Sequence, residues 1–449
     1  VPIDGKPTTA AGYRSAVSSY ATAYLPDGRP ICSFRNGVDQ LFFTLFTRSD
    51  WIELEGEEAY ELARHSFVDL EPDEAVVVGF RVAAGFLRER LDVMGVDRET
   101  VRSELQNLIE QQADRKTHLL DSFEGAPEIS AEIESEIGGW AAIDSESWFI
   151  QLRERISEGE PVDRFGRGRL GSASWLMSAW EYHDPRYRLR AVLEAVPDEL
   201  EITLDLADLI EGGWLDPTVD PRRVADDFVE YASHGGLAPI VLTEGRFDSA
   251  VLSASLELRR PHLADFIRFP DFQQRPEGGA AALRQTIRAF ASAGVPNRVV
   301  GLFDNDSAAR DVMRYLVDEH LPKNIVVTQL PALRLARAYP TRGPQGDHTM
   351  DVNGLAVSIE MFLGTDVLST SDGLLPVEWG GYVSGVAAYQ GAISDKGAVQ
   401  AAFHAKVAAA RQDAAIMESQ DWSAIDELLD HLLAVLRGLG SAEMNGRRA

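Results

Sequence analysis

The sequence predicts an α/β protein. A four-stranded parallel sheet flanked by helices is expected, preceded by an α+β N-terminal domain and followed by C-terminal helices. Three observations carry this. From residue 237 onward, short apolar runs alternate with stretches of helical spacing, the rhythm of a parallel sheet covered on both faces. Before that point strand-like and helix-like stretches are mixed without a fixed rhythm. After residue 395 the chain, over 396–437, reads almost wholly as helix. The expected boundaries are therefore 1–235, 236–395 and 396–449. At 449 residues, with 45% hydrophobic and 25% charged residues, the chain has an ordinary globular balance and room for about two or three domains.

The elements follow in order. Residues 18–36, SSYATAYLPDGRPICSFRN, read as two strands around a turn supplied by Pro26-Asp27-Gly28. A helix is expected at 57–65. Residues 76–108 carry apolar residues at helical spacing, broken near Gly95-Val96-Asp97. Residues 120–175 are rich in Glu, Gly and Trp and poor in periodicity, so they read as loops and short helices wrapped on the core. LEITLDLADL, at 200–209, is a strand turning into a helix, and 217–232 is a helix leading to a hinge at His234-Gly235-Gly236. Strands at 239–243, 265–269, 298–303 and 324–330 then alternate with helices at 247–258, 279–293 and 307–320. The tail divides into two helical pieces near Asp421. Val299, Val300 and Leu302 belong to sheet core. Trp175, Trp180 and Trp214 belong to core or a domain interface, and His183 and His234 to surface or hinge.

Composition excludes several classes. No stretch approaches the ~18 consecutive apolar residues of a membrane span. Residues 1–12 lack the basic-then-apolar order of a secretory signal. Cys32 is the only cysteine, which excludes a disulfide framework or a Cys-based zinc site and fits a reducing cytoplasm. The net charge of −28 argues against a nucleic-acid surface, because phosphates call for basic groups. Its distribution qualifies that argument. Residues 237–350 hold 14 basic and 12 acidic residues, whereas the remainder holds 29 and 59. Acid-rich stretches at 53–58 and 124–136 read as solvated surface. Only 5 of the 43 basic residues are lysine, so each lysine merits inspection.

The chemistry gathers in two motifs. Glu244-Gly245-Arg246-Phe247-Asp248 follows the first strand of the regular unit directly, and Asp304-Asn305-Asp306 follows the third. Ligands of open parallel sheets sit beyond the carboxyl ends of the strands, so both acid groups are expected at one edge. Acids that converge repel one another unless a cation lies between them, and hard oxygen ligands suit Mg2+ or Mn2+.

The pair LTEGRFD and GLFDND resembles a Toprim domain, the metal-binding catalytic module of topoisomerases, primases, recombination proteins and OLD-type nucleases. OLD-like members carry a later acid and a late lysine near the metals. The stretch from Tyr339 leads to Glu360, and Tyr389-Gln390-Gly391 precedes Lys396; the resemblance makes Glu360 and Lys396 the candidates, with Asp351 a weaker competitor for the acid. SSYATAYLPDGRPICSFRNGVDQLFFTLFTRSDW, LRERLDVMGV and LDLADLIEGGWLDP resemble the N-terminal domain that accompanies HEPN or Toprim effectors of prokaryotic antiviral systems. HEPN ribonucleases use an Arg-x4–6-His motif. Arg115 and His118 are too close to supply it, and Arg314/His320 and Arg342/His348 lie inside the Toprim part.

The resemblance implies a divalent-metal-dependent nuclease acting on DNA or RNA. Glu244, Asp248, Asp304, Asp306 and Glu360 would hold Mg2+ or Mn2+, two ions, with Glu244 and Lys396 serving catalysis. Arg246, Arg310 and Arg342 would contact phosphate. No tyrosine stands in a recognisable topoisomerase context, and a primase's zinc module is excluded by one cysteine. The alternative is a sensor or scaffold that binds nucleic acid or nucleotide with a protein partner and does not cut. The chain has no G-x-x-x-x-G-K-[ST] loop, so a companion ATPase would be a separate polypeptide. Another defence-system protein or a second copy of the chain are further expected partners; a membrane is not.

Overall fold

A computed structural model describes residues 19–63, 71–120, 127–162, 168–181, 183–227, 237–270, 278–317, 319 and 321–446. Tyr20–Tyr24 (β1) and Pro30–Arg35 (β2) pair antiparallel around the expected turn. There Gly28 takes a φ of 81° and donates to the Leu25 carbonyl at 2.9 Å, a left-handed position that suits glycine. Trp51–Glu55 (β3), Val76–Ala83 (β4) and Glu201–Asp205 (β5) complete an antiparallel sheet of order β2-β1-β5-β4-β3. Gly79 lies so close to the Leu204 carbonyl that any Cβ would collide with β5.

Four expectations change in this half. The stretch from 76 begins as strand and not helix. Val77, Gly79, Phe80 and Val82 are buried along it, then at Ala84 the chain turns directly into the helix Ala84–Val93. The break at Gly95 is real, and the helix Arg98–Leu120 follows. Residues 127–157 are not loops with short helices but the two sizeable helices Pro127–Ala141 and Ser145–Ser157. The first buries only Ile133, Glu136 and Trp140, which explains its faint periodicity. Glu136 is also an exception among the solvated glutamates, since it is buried against Lys116. Trp175 and Trp180 are buried as expected, but Trp214 is 55% exposed. His183 is half-buried beside Glu104, whereas His234 and the expected hinge lie outside the described residues.

The parallel unit contains Ile240–Thr243 (β6), Val299–Phe303 (β7), the two-residue strand Asn305–Asp306 (β8) and Ile325–Gln329 (β9). β6, β7 and β9 form a three-stranded parallel sheet with β7 central. The expected fourth strand at 265–269 is absent. A 3-10 turn, Pro261–Phe266, takes its first two residues, and beyond it only Arg268 forms an isolated parallel bridge to Ile240. Pro270 follows directly and cannot donate to a continued ladder. The helices Arg246–Arg259, Ala280–Ala293 and Ser307–Val317 fall where helical spacing predicts them. Val299, Val300 and Leu302 are buried.

Beyond β9 lies a second sheet that the sequence does not announce. Tyr339–Gly343 (β10) and Gly346–Met350 (β11) form a hairpin, and Ala356–Val357 (β12) pairs with β8. Ser369–Thr370 (β13) and Gly373–Leu374 (β14) make a small hairpin. Val377–Val383 (β15) and Ala388–Ile393 (β16) complete a sheet of order β11-β10-β15-β16. The tail holds three helices, Lys396–Gln412, Ala414–Ser419 and Ser423–Gly446, so it breaks at Asp413 as well as near Asp421. One apolar cluster runs from Ala21 to Leu439 and joins the N-terminal sheet, the parallel unit and the final helix. Among the described residues no helix is long and apolar enough to cross a membrane.

Candidate active site

The ends of β6 and β7 set the site. The strands pair in register from Ile240↔Val299 to Thr243↔Leu302, so the residues that follow emerge side by side. Glu244 Oε1 accepts from the Asp304 backbone N–H at 2.9 Å, which joins the two acid motifs directly. The Glu244 carbonyl accepts from Gly279 N–H at 2.9 Å, and a Cβ at Gly278 would stand 3.0 Å from the same oxygen. The loop before Ala280–Ala293 can therefore lie against the strand end.

Each remaining acid has its own support. Asp248, in the first turn of Arg246–Arg259, accepts from Gly245 N–H at 2.8 Å. Asp306 caps the helix Ser307–Val317, taking Ala309 N–H at 2.8 Å on Oδ1. Its Oδ2 accepts from Gln390 Nε2 at 2.5 Å, while Gln390 Oε1 accepts from Ala308 N–H at 2.9 Å. The pairing of β8 with β12 draws in the following 3-10 turn, Ile359–Phe362, with Glu360. Glu360 receives Ser358 Oγ at 2.6 Å and Lys396 Nζ at 3.4 Å on one oxygen, and Gln400 Nε2 at 3.1 Å on the other. Lys396 and Gln400 are one helical turn apart and so share a face. Lys396 opens its helix, where the dipole disfavours a cation; its position is accounted for by its neighbours and not by the helix.

Electrostatics bind the group together. Burial, then Asp306 and Asp248, pushes the Glu244 carboxyl up to about 8. Burial, then Glu360, raises Asp248 to about 6. Burial with Glu244, Asp248 and Asp306 holds Asp304 well above the usual carboxylate range. Burial raises Asp306 too, against its helix-capping and Gln390 hydrogen bonds. For Glu360 burial acts upward, but Lys396, Ser358 and Gln400 outweigh it, and its carboxyl lies below the ordinary value. Lys396 lowers all five acids.

Two of the three arginines have partners outside this group. Arg246, within the first motif, begins the helix Arg246–Arg259 and is exposed. Arg310 donates to the Gly354 carbonyl at 3.2 Å, and Arg342 pairs with Asp347 at 3.0 Å on the exposed β10–β11 hairpin. Asp351 bonds its neighbour Asn353 in an exposed turn and does not join Glu360 beside Lys396. Arg115 and His118 lie on the helix Arg98–Leu120, Arg342 and His348 on the hairpin, and His320 outside the described residues. Sequence reasoning missed Gln390, Ser358 and Gln400. The only signal for Gln390 is its place in the Tyr-Gln-Gly run upstream of Lys396.

The donor set fits a hard divalent cation in kind. Among the described residues Asp304's half-buried carboxylate accepts no hydrogen bond, although three other acids surround it electrostatically. Clustered carboxylates with few donors are what such ions neutralise. The acids nevertheless stand as neighbours and not as a closed shell, since among the described residues no three His, Cys, Asp or Glu side chains form a group able to hold a metal ion.

Comparison with known proteins locates one similarity. Residues 26–234 match the family described as HEPN/Toprim N-terminal domain 1, which agrees with the resemblance of the N-terminal half and hints at a nuclease-related role. The acid cluster lies beyond the matched residues. Comparisons with curated proteins and with solved structures found no match.

Proposed function

We propose that this chain is a Toprim-type nuclease that hydrolyses phosphodiester bonds in DNA or RNA with divalent metal, as an effector of prokaryotic antiviral defence in the cytoplasm. The observation that carries the reading is the contact between Glu244 and the backbone of Asp304. It unites acids from two parallel strand ends into one group that shares Lys396.

Glu244, Asp248, Asp304, Asp306 and Glu360 would hold Mg2+ or Mn2+, two ions in this reading. When bound, such ions polarise the phosphodiester and lower the pKa of water. Glu244, tied to the Asp304 backbone, would serve catalysis by orienting the attacking water once the ions hold its carboxylate ionised. Lys396, 42% exposed on its outer side, would offset charge on the phosphate as it becomes pentacoordinate. Gln390 is a positioning residue that fixes the Asp306 carboxylate. Arg246 and Arg310, in the first turns of the helices after the two motifs, are proposed as phosphate contacts, and Arg342 as an outlying one. A separately encoded ATPase, another defence-system protein or a second copy of the chain are its proposed partners.

A second reading is a Toprim sensor or scaffold that binds nucleic acid or nucleotide with a protein partner and does not cut. It is favoured by the lack of a closed ligand shell among the described residues. Plasmid, single-stranded DNA and total RNA incubated with Mg2+ or Mn2+ separate the two. Cleavage that Asp304→Ala and Glu244→Ala abolish supports the nuclease. Binding without cleavage under either metal supports the sensor, and cleavage that survives both substitutions removes these acids from the mechanism.

A further inference from the structure

The second sheet carries an aromatic surface that the acid chemistry does not use. Tyr382 on β15 and Tyr389 on β16 are register partners. Their rings stand edge to face, 5.2 Å apart at 68°. They remain 57% and 58% exposed and belong to none of the apolar clusters. A cross-strand aromatic pair stabilises a sheet only modestly, a small return for leaving two large rings in water.

Their location suggests a use. The Tyr389 carbonyl accepts from Ser307 Oγ at 2.8 Å, and the next residue, Gln390, holds Asp306. Tyr389 is thus the residue next to the one that holds Asp306. Successive side chains point to opposite faces, and the outer edge of β16 is covered where the Tyr389 carbonyl takes Ser307 Oγ and Gly391 N–H donates to the Leu355 carbonyl. A polynucleotide resting a base on the exposed rings would therefore reach the acids around the Ser384–Val386 end of the sheet. The turn Ser384–Val386 lies against Ser307–Val317, where Arg314 donates to the Gly385 carbonyl. Arg310 lies one turn earlier on the same helix and is also exposed. Rings flanked by arginines are how proteins hold unpaired bases while tracking the backbone. Paired bases in a duplex keep their faces stacked on one another and offer no such contact.

We propose that Tyr382 and Tyr389 form a stacking platform for unpaired bases, so that the site receives single-stranded nucleic acid. This deepens the nuclease reading and rests on it for the reaction, but its test reads binding alone. The full chain is titrated by fluorescence anisotropy in Ca2+ with a fluorescein-labelled single strand of about 12 nucleotides, an abasic strand of equal length and the matching duplex. Gels verify that each probe remains intact.

The single strand should bind more tightly than the other two probes. Tyr382→Ala with Tyr389→Ala should weaken it by about 10-fold or more, leaving abasic binding unchanged. Tyr382→Phe with Tyr389→Phe should bind as the parent does, because the ring and not the hydroxyl does the stacking. An equal loss on the abasic strand overturns the platform. So does unchanged affinity in the alanine variant, which would leave the rings to sheet packing or a protein partner, and so does a preference for duplex. If base-dependent binding holds while no cleavage occurs, the platform stands and the nuclease reading falls. Cleavage with unaltered binding in the alanine variant gives the reverse.

Discussion

Asp304→Asn separates a metal site from an ordinary cluster of acids. Asp304 is half-buried and its carboxyl is held well above the usual range by burial, Glu244, Asp248 and Asp306. Without a cation these surroundings favour its protonated form, and asparagine closely matches that form in size. The same surroundings raise Glu244 to about 8 from 4.5. At about 1.4 kcal/mol per decade, releasing the Glu244 proton at pH 7 costs about 1.4 kcal/mol, which a bound cation must offset. The substitution should therefore leave metal-free stability within about 1 kcal/mol of the parent while abolishing stabilisation by metal. With Mg2+ at about 100 times its dissociation constant, the parent should gain about 2.7 kcal/mol, equivalent to a few degrees of melting temperature in a large chain.

Scanning fluorimetry near neutral pH, first in chelator and then across Mg2+ and Mn2+ titrations, reads both quantities. A variant that melts far below the parent in chelator would make Asp304 a structural acid. A variant stabilised by metal as strongly as the parent would take Asp304 out of the ligand set. Either result refutes the reasoning, because the first denies the bound proton and the second denies the shared ion.

Other residues give independent expectations. Lys396→Met should lower kcat by about 100-fold or more with a smaller change in metal affinity; equal loss of both, in single-turnover and metal-titration assays, would place Lys396 outside the transition state. Asp205 is buried at the end of β5, and burial raises its carboxyl to about 6 from 3.8. Stability from its bound proton is full below the unfolded value and is lost as pH rises through about 6. Asp205→Asn, which keeps an acceptor for Ala207 N–H, should therefore exceed the parent in urea denaturation above that window by up to about 3 kcal/mol; an equal gain in acid, below the window, would contradict this. Arg90 is buried, pairs with Asp50 at 2.7 Å and donates to the Leu45 and His262 carbonyls. Arg90→Ala should cost about 3–5 kcal/mol because it strands Asp50, and Arg90→Met with Asp50→Asn should recover part of it; a double variant as unstable as the single one would assign the cost to the carbonyls.

The acids were legible because each motif abuts a short apolar run that can only be a strand, and parallel strands deliver their ends to one edge. Local turn chemistry made β1 and β2 legible in the same way. What stayed hidden depends on distant pairing or weak amphipathicity. β4 merges into a helix at Ala84 with no Gly or Pro between them, so its apolar residues were absorbed into the helical pattern. β11 is exposed along its whole length and offers no apolar period at all. The parallel pairing of β10 with β15 spans a long separation, beyond any local signal. The expected strand at 265–269 had suitable residues, but the 3-10 turn entering it and Pro270 after it left only the Arg268 bridge. Gln390 is an ordinary polar residue until folding brings it to Asp306. Its importance lies in a contact across 84 residues, which composition cannot encode.

The last helix, Ser423–Gly446, belongs to no single part of the chain. Arg437 reaches Asp92, Asp426 holds Arg259, His431 meets Thr328, and the Leu436 carbonyl receives Arg298. It works as a keystone: its two neighbours lean on the same piece. Exchange of the front half for an unrelated module would require the tail to be rewritten at the same time, so a recombinant joined ahead of the parallel unit would have its closing stone cut for a different arch.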